Sequence, residues 1–449
     1  KLKNFDIISR TMIKKPELIL PGGDLPRTKI ALDFGADAVY VGLNKYSLRK
    51  GEVRFDIHEI GEAIEYAHSL GKKIYVTFNI FAHNEHLKGI EKDMKKIATL
   101  NPDAFIMADI GVIQIAKRIA PKVPIHISTQ ANTTNIEDVR FWRSIGAKRV
   151  VLARELTLKE ITEIHKAAPE IELEVFTHGS MCIAYSGRCL LSNYMTSRHS
   201  NLGDCAQPCR WNYRVAQVSN DKFQVLNRNS KLKNESKFKI QNSKFFLEES
   251  QRPGEYFEIE EMETGTNIMS SKDLCTIEYI DKMIEAGVTG FKIEGRNKTD
   301  YYLAATTIAY REAINLAIKK KYTPKEKNRL KKELGKIAHR NYTTGFLFGD
   351  AKKGETYQGR SPIEIYRYIG IVKEEKGKKE RLHTIIVKNK IRKNMDVEIL
   401  TPSGLKKDKI LRIFDQGFET NEISPGRENQ AADIILSKNH KKDSILRAK

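Results

Sequence analysis

The sequence predicts an α/β protein. Its core is a (β/α)8 TIM-like barrel with a long cysteine-bearing insertion after strand seven. A small C-terminal antiparallel β-barrel domain follows. Three observations carry the prediction. Short apolar runs alternate with amphipathic helical patterns from Glu17 to about residue 320. Four of the five cysteines crowd into one break in that rhythm. Beyond Glu364 the pattern changes to short alternating strands between turn residues.

The apolar runs are LIL (18–20), DAVYVG (37–42), KIYVTFN (73–79), AFIMAD (104–109), PIHISTQ (124–130), RVVLARE (149–155), IELEVFTHG (171–179) and VTGFKIEGR (288–296). Rich in Val and Ile and nearly continuous in apolar character, they read as parallel strands buried on both faces. Between them lie helical patterns such as 58–71 and 157–168, and Gly35, Gly71, Gly146 and Gly287 stand where helices should stop. Eight such strand–helix units close a barrel. A doubly wound open sheet is the alternative, but no G-x-G-x-x-G opens a helix after a strand, which argues against its dinucleotide-binding form.

The domain boundaries follow. Residues 1–16 form an N-terminal extension, in which 1–11 read as upstream of a start at Met12. The barrel spans 17–320, with the cysteine-bearing excursion at 180–275. Within it, 220–245 is rich in Lys, Asn and Ser and reads as a mobile insertion. Residues 321–363 form a helical linker, 364–436 the small β-barrel, and 437–449 a loose basic tail.

The net charge of +21 is uneven. Residues 319–449 hold 33 basic and 17 acidic side chains, a net of +16, and residues 214–245 add +6. A near-neutral body thus carries a basic C-terminal third. That asymmetry predicts a polyanionic partner, most simply RNA, although a solvated lysine face has the same composition. No apolar run is long enough to span a bilayer, and the first residues lack the apolar core of a signal peptide. The expectation is a cytoplasmic protein with reduced cysteines and no membrane partner.

Cys182, Cys189, Cys205 and Cys209 lie within twenty-eight residues. Four soft donors so close together suit a tetrahedral metal or an iron–sulfur cluster. The spacing leaves a 4Fe–4S cluster, zinc, and four small buried side chains all open. Cys275 stands apart and reads as a buried thiol.

In barrels of this type the active site forms at the C-terminal ends of the strands. That rule selects Arg154, Glu155, His178, Glu294 and Arg296 as candidate catalytic residues. It selects Asn79, Asp109 and Gln130 as candidate substrate-binding residues. Arginine supplies a planar fork that binds carboxylate or phosphate bidentately, and Glu294 stands as an acid beside Arg296. Structural ion pairing of Arg154 and Glu155, and a scaffold role for His178, remain the competing expectations.

HGSMCIAYSGRCLLSNY (178–194) resembles the signature of peptidase family U32, the collagenase-like protease group. ELILPGGDL, STQANTTN, VVLARELTL, DCAQPCRW and FKIEGRNKTDYY match in order, so the resemblance runs from about residue 17 to about 436. It is strongest to the branch concerned with tRNA uridine 5-hydroxylation. The cysteine spacing favours a 4Fe–4S cluster over zinc; the resemblance implies prephenate as co-substrate, and charge and resemblance together imply tRNA as partner through the basic C-terminal region. Arg154 and Arg296 would then hold a small dicarboxylate. The family name implies a peptidase instead, but neither H-E-x-x-H nor G-x-S-x-G is present. A Cys182–His178 nucleophile would take Cys182 out of the metal set. A non-catalytic RNA-binding protein with a structural cluster is the third possibility.

Overall fold

Strands β1 (Glu17–Pro21), β2 (Ala38–Gly42), β3 (Lys73–Phe78), β4 (Ala104–Met107), β5 (Ile125–Ile127), β6 (Arg149–Val151), β7 (Glu172–Ser180) and β8 (Val288–Ile293) pair in parallel in that order. β8 pairs back onto β1, with Glu17 opposite Gly290 and Ile19 opposite Lys292, which closes the barrel. The computed structural model describes residues 15–47, 55–182, 184–189, 192, 202, 204–206, 209, 271–349, 363–377, 380–426 and 430–449, with the backbone of five strands between 216 and 267. Among these residues no helix is long and apolar enough to cross a membrane.

Helices α1 (Leu25–Asp33), α2 (Ile57–Ser69), α3 (Asn84–Ala98), α4 (Ile110–Ile119), α5 (Ile136–Ser144), α6 (Leu158–Ala167), α7 (Ile280–Glu285) and α8 (Asp300–Ile318) follow the eight strands in turn. Local chemistry sets their ends. In α2, Asp56 accepts from the Glu59 N–H and the Glu59 side chain reaches back to the Asp56 N–H. Such a cap is worth about 1 kcal/mol. Ile60, Ala63, Ile64 and Ala67 then bury one stripe of α2. Gly35, Gly71, Gly146 and Gly287 all take positive φ, as their positions predicted.

The barrel interior is polar at its base. The Arg149 guanidinium, 2% exposed, donates to Glu17 at 2.7 Å and to Glu174 at 3.2 Å, and also pairs with Glu172. Lys73 and the Tyr75 hydroxyl bond Glu17, and Lys292 bonds Glu174 at 2.7 Å. Three carboxylates thus balance three cations: Arg149, Lys292, Glu17 and Glu174 are buried, while Lys73 and Glu172 reach the surface. That balance is what makes burial of so much charge tolerable.

Beyond α8, the polar helix α9 (Pro324–Leu334) leads to the second domain. Strands β9 (Arg367–Gly377), β10 (Leu382–Val387), β11 (Asp396–Thr401), β12 (Gly404–Asp415), β13 (Ala431–Leu436) and β14 (Ile445–Ala448) form a six-stranded antiparallel barrel. Its order is β11-β14-β9-β10-β13-β12, closed by β12 on β11. Ile369, Val372, Ile385, Ile399, Ile410 and Ile434 fill its core.

The predicted loose tail at 437–449 needs correction. β14 pairs with both β9 and β11 and completes the closure. His440 is 2% exposed and its ring meets Asp408 at 2.5 Å. Arg447 is fully buried at the junction with the larger barrel, bonding Glu333, Glu398 and the Tyr301 hydroxyl. The apolar pair Ile445–Leu446 drives this packing, and the surrounding lysines concealed it. The expected mobile insertion at 220–245 lies mostly outside the described residues. Of it, strand Lys222–Val225 is described, paired with Ala216–Ser219, together with Phe245 at the start of strand Phe245–Glu248.

Candidate active site

A cavity of about 180 Å³ opens at the C-terminal ends of the strands. Of the residues selected from the sequence, Asn79, Gln130, Arg154, Glu294 and Arg296 line it, together with all four clustered cysteines. Arg154 stacks its guanidinium over the Phe176 ring at 4.0 Å, and Arg296 sits over the Tyr40 ring at 5.1 Å. Both geometries hold a planar cation against an aromatic face at the cavity wall.

The end of β8 is built to hold this geometry. Gly179 has φ +109°, and a Cβ there would lie 2.5 Å from the Glu294 carbonyl oxygen. Only glycine lets β7 approach β8 so closely. The Glu294 N–H donates to the His178 carbonyl, Tyr302 donates to the Glu294 carbonyl, and the Ser180 N–H reaches the Glu294 carboxylate at 3.4 Å. Arg27, capped by Asp24, donates to the carbonyls of Arg296 and Lys298. On the opposite wall Asn79 donates to Ser128 at 3.4 Å.

Three selected residues do not line the cavity. His178 is 1% exposed and faces α8, its ring packed on Tyr302, Tyr310 and Tyr342. The cause is a register shift: Lys292 pairs with Phe176, but Ile293 pairs with His178. Thr177 is the extra residue, so His178 joins the outward set with Ile293. Burial, then the charges of Lys298 and His339, lowers its pKa to about 3, so it is neutral and scaffolding. A Cys182–His178 nucleophile pair therefore lacks its base at the cavity. Asp109 caps α4, accepting from the Val112 N–H at 3.0 Å. Glu155 accepts from the Ser186 N–H at 2.9 Å and so anchors the cysteine-bearing loop.

The sequence reasoning missed Lys292, Tyr40 and Phe176. Lys292 forms the cavity floor, 4% exposed, with its ammonium 4.4 Å from the Tyr40 ring centre. Burial lowers its pKa, opposed by the Glu174 carboxylate. The signal was available: in a strand, Lys292, Glu294 and Arg296 share one face at a spacing of two. The cavity thus presents one amine, two guanidinium groups and one carboxylate, a set suited to a small anion with more than one carboxylate.

Cys182 is exposed, and Cys189, Cys205 and Cys209 are half-buried. All four contribute to the wall of this one cavity, and thiols are the donor type that suits a soft metal group. As they stand, no three or more His, Cys, Asp or Glu among the described residues are disposed as a metal-holding group. Cys275 is buried elsewhere, beside Tyr310, and burial pushes its thiol up to about 11.

A closed (β/α)8 barrel whose strand ends carry a cationic, thiol-walled pocket is the class of a barrel enzyme. Its sequence matches the profile of peptidase family U32 over residues 23–357 and that of the family's C-terminal domain over 364–447. The chain belongs to peptidase family U32. It is 39% identical over 426 residues to tRNA hydroxylation protein P of Escherichia coli K12, covering 92% of each chain. It is 38% identical over 432 residues to tRNA hydroxylation protein P1 of Bacillus subtilis 168, covering 94% of this chain and 90% of that one. The 23S rRNA 5-hydroxycytidine C2501 synthase of E. coli K12 is 28% identical over 422 residues, covering 92% of this chain and 55% of that protein.

Proposed function

We propose that this protein hydroxylates RNA, and that its substrate is the wobble uridine of tRNA, converted to 5-hydroxyuridine. What carries this reading is the similarity to named tRNA hydroxylation proteins, which runs across both domains. The site's composition supports it: two arginines and four cysteines line one cavity at the barrel mouth.

The residues divide the work. Arg154 and Arg296 hold the carboxylates of prephenate, the proposed co-substrate, from the faces of Phe176 and Tyr40. Lys292, held by Glu174, lines the same cavity, and Glu294, the carboxylate among the lining residues, takes up or returns a proton. Cys182, Cys189, Cys205 and Cys209 would hold a 4Fe–4S cluster, which would supply electron transfer. The basic C-terminal third, net +16 from residue 319, neutralises RNA phosphates.

The test is nucleoside analysis of tRNA from a strain deleted for this gene, complemented by wild type or by Arg296→Ala. Loss of 5-hydroxyuridine on deletion, restored only by wild type, supports the reading. Unchanged 5-hydroxyuridine in the deletion strain refutes it.

A further inference from the structure

A second cavity, of about 540 Å³, adjoins the first at the barrel mouth. Its walls are of a different kind. Phe81, Ile110 and Trp142 supply apolar surface, and Arg188 and Gln130 supply the polar groups. Ile110 is 53% exposed at the rim, and Arg188 is also exposed. Phe141, 47% exposed, packs edge-on against Trp142 with ring centres 5.1 Å apart. None of these residues is acidic, whereas the deep cavity holds Glu294.

The partition between the two cavities is built from Gly187 and Gln130, which line both. Gly187 has φ +78°, and a Cβ there would fall 2.4 Å from the Gln130 carbonyl oxygen. The cysteine-bearing loop is thereby pressed onto the end of β5. Cys189 lines the deep cavity, while its neighbour Arg188 lines the outer one.

We propose that this outer cavity is the seat of a single unstacked nucleobase of the RNA substrate. This rests on the RNA-hydroxylase reading and says where the base enters. An unstacked base needs a flat apolar surface for its faces and a few donors and acceptors for its edge, and aromatic and arginine side chains supply both. Arg188 adds the positive charge that the adjoining phosphate requires. Gln130, with both donor and acceptor, faces the base from the shared wall. The deep cavity, rich in cations and small, is left to the acidic co-substrate, and the two meet across Gly187.

The experiment uses the full chain, prepared anaerobically, with an anticodon stem–loop RNA carrying 4-thiouridine at the wobble position. Irradiation should crosslink the RNA to a peptide containing Phe81 or Trp142. Arg188→Gln, an exposed change that spares the fold, should reduce crosslinking and raise the KM for RNA roughly tenfold, leaving the KM for the small co-substrate unchanged, since loss of one charge-assisted contact to a phosphate costs about that much. Crosslinks confined to the deep cavity or the C-terminal barrel, in protein that still hydroxylates RNA, would overturn the inference and leave the hydroxylase reading standing. Crosslinks at Phe81 or Trp142 without any hydroxylation would support the outer seat and overturn that reading instead.

Discussion

Replacing Lys292 with Met removes one charge from a closed account. At the barrel base, Glu17, Glu172 and Glu174 face Lys73, Arg149 and Lys292. Glu174 is fully buried and loses its 2.7 Å partner, keeping Arg149 at 3.2 Å. Breaking a buried pair from one side costs roughly 3–5 kcal/mol, because the remaining charge cannot return to water. Lys292→Met should therefore lower barrel stability by about that amount. Glu174→Gln combined with Lys292→Met restores neutrality and leaves Arg149 an amide oxygen to bond. The double variant should lie within about 1–2 kcal/mol of wild type. The assay is a double-mutant cycle in urea, with unfolding followed by circular dichroism. A double variant as unstable as the sum of the two singles would refute charge balance as the cause, as would a Lys292→Met protein within about 0.5 kcal/mol of wild type.

Arg296→Ala should abolish RNA modification while leaving RNA affinity intact, checked by turnover and filter binding, since Arg296 lies 7% exposed in the cavity and precedes the basic segment that begins at residue 319. Anaerobically purified protein should contain about four irons per chain, as a 4Fe–4S cluster requires. Alanine at Cys182, Cys189, Cys205 or Cys209 should remove them and Cys275→Ala should not, read by iron and sulfide analysis. Arg447→Met should loosen the junction between the domains, seen as faster hydrogen exchange in β14 and α9 and a stability loss of roughly 3–5 kcal/mol. His178 is held neutral when folded, with its pKa lowered to about 3, but titrates near 6.5 when unfolded. The unfolded chain therefore binds the extra proton, and this residue's contribution to stability falls as pH drops from about 6.5 towards 3, by roughly 1.4 kcal/mol per pH unit. His178→Phe should flatten that part of the stability–pH curve.

The barrel was legible because its strands carry the pattern of elements buried on both faces and its helices carry caps, stripes and terminal glycines. That Asn79, Gln130, Arg154, Glu294 and Arg296 line one cavity was legible for the same reason, since strand ends in a closed parallel barrel share one mouth. Asp109 caps a helix and does not line the cavity, because the first residue beyond a strand is also a helix N-cap, and an aspartate serves either purpose. The C-terminal tail was misjudged because two apolar residues, Ile445 and Leu446, stood among five lysines and arginines.

By itself, then, the sequence determined what depends on period and on neighbours a few residues away: eight strand–helix units, the small β-barrel, the crowding of four thiols, and the uneven charge. Tertiary structure alone decided what depends on register and on closure. One extra residue at Thr177 turned His178 out of the barrel, a shift no local propensity encodes. Closure of β8 on β1 and β7 brought Lys292 onto Glu174, 118 residues away in the chain, and gave the cavity its cationic floor. The sharing of one wall by Gly187 and Gln130 likewise arises where two distant loops meet, because such contacts are set by the packing of whole elements and not by the residues that make them.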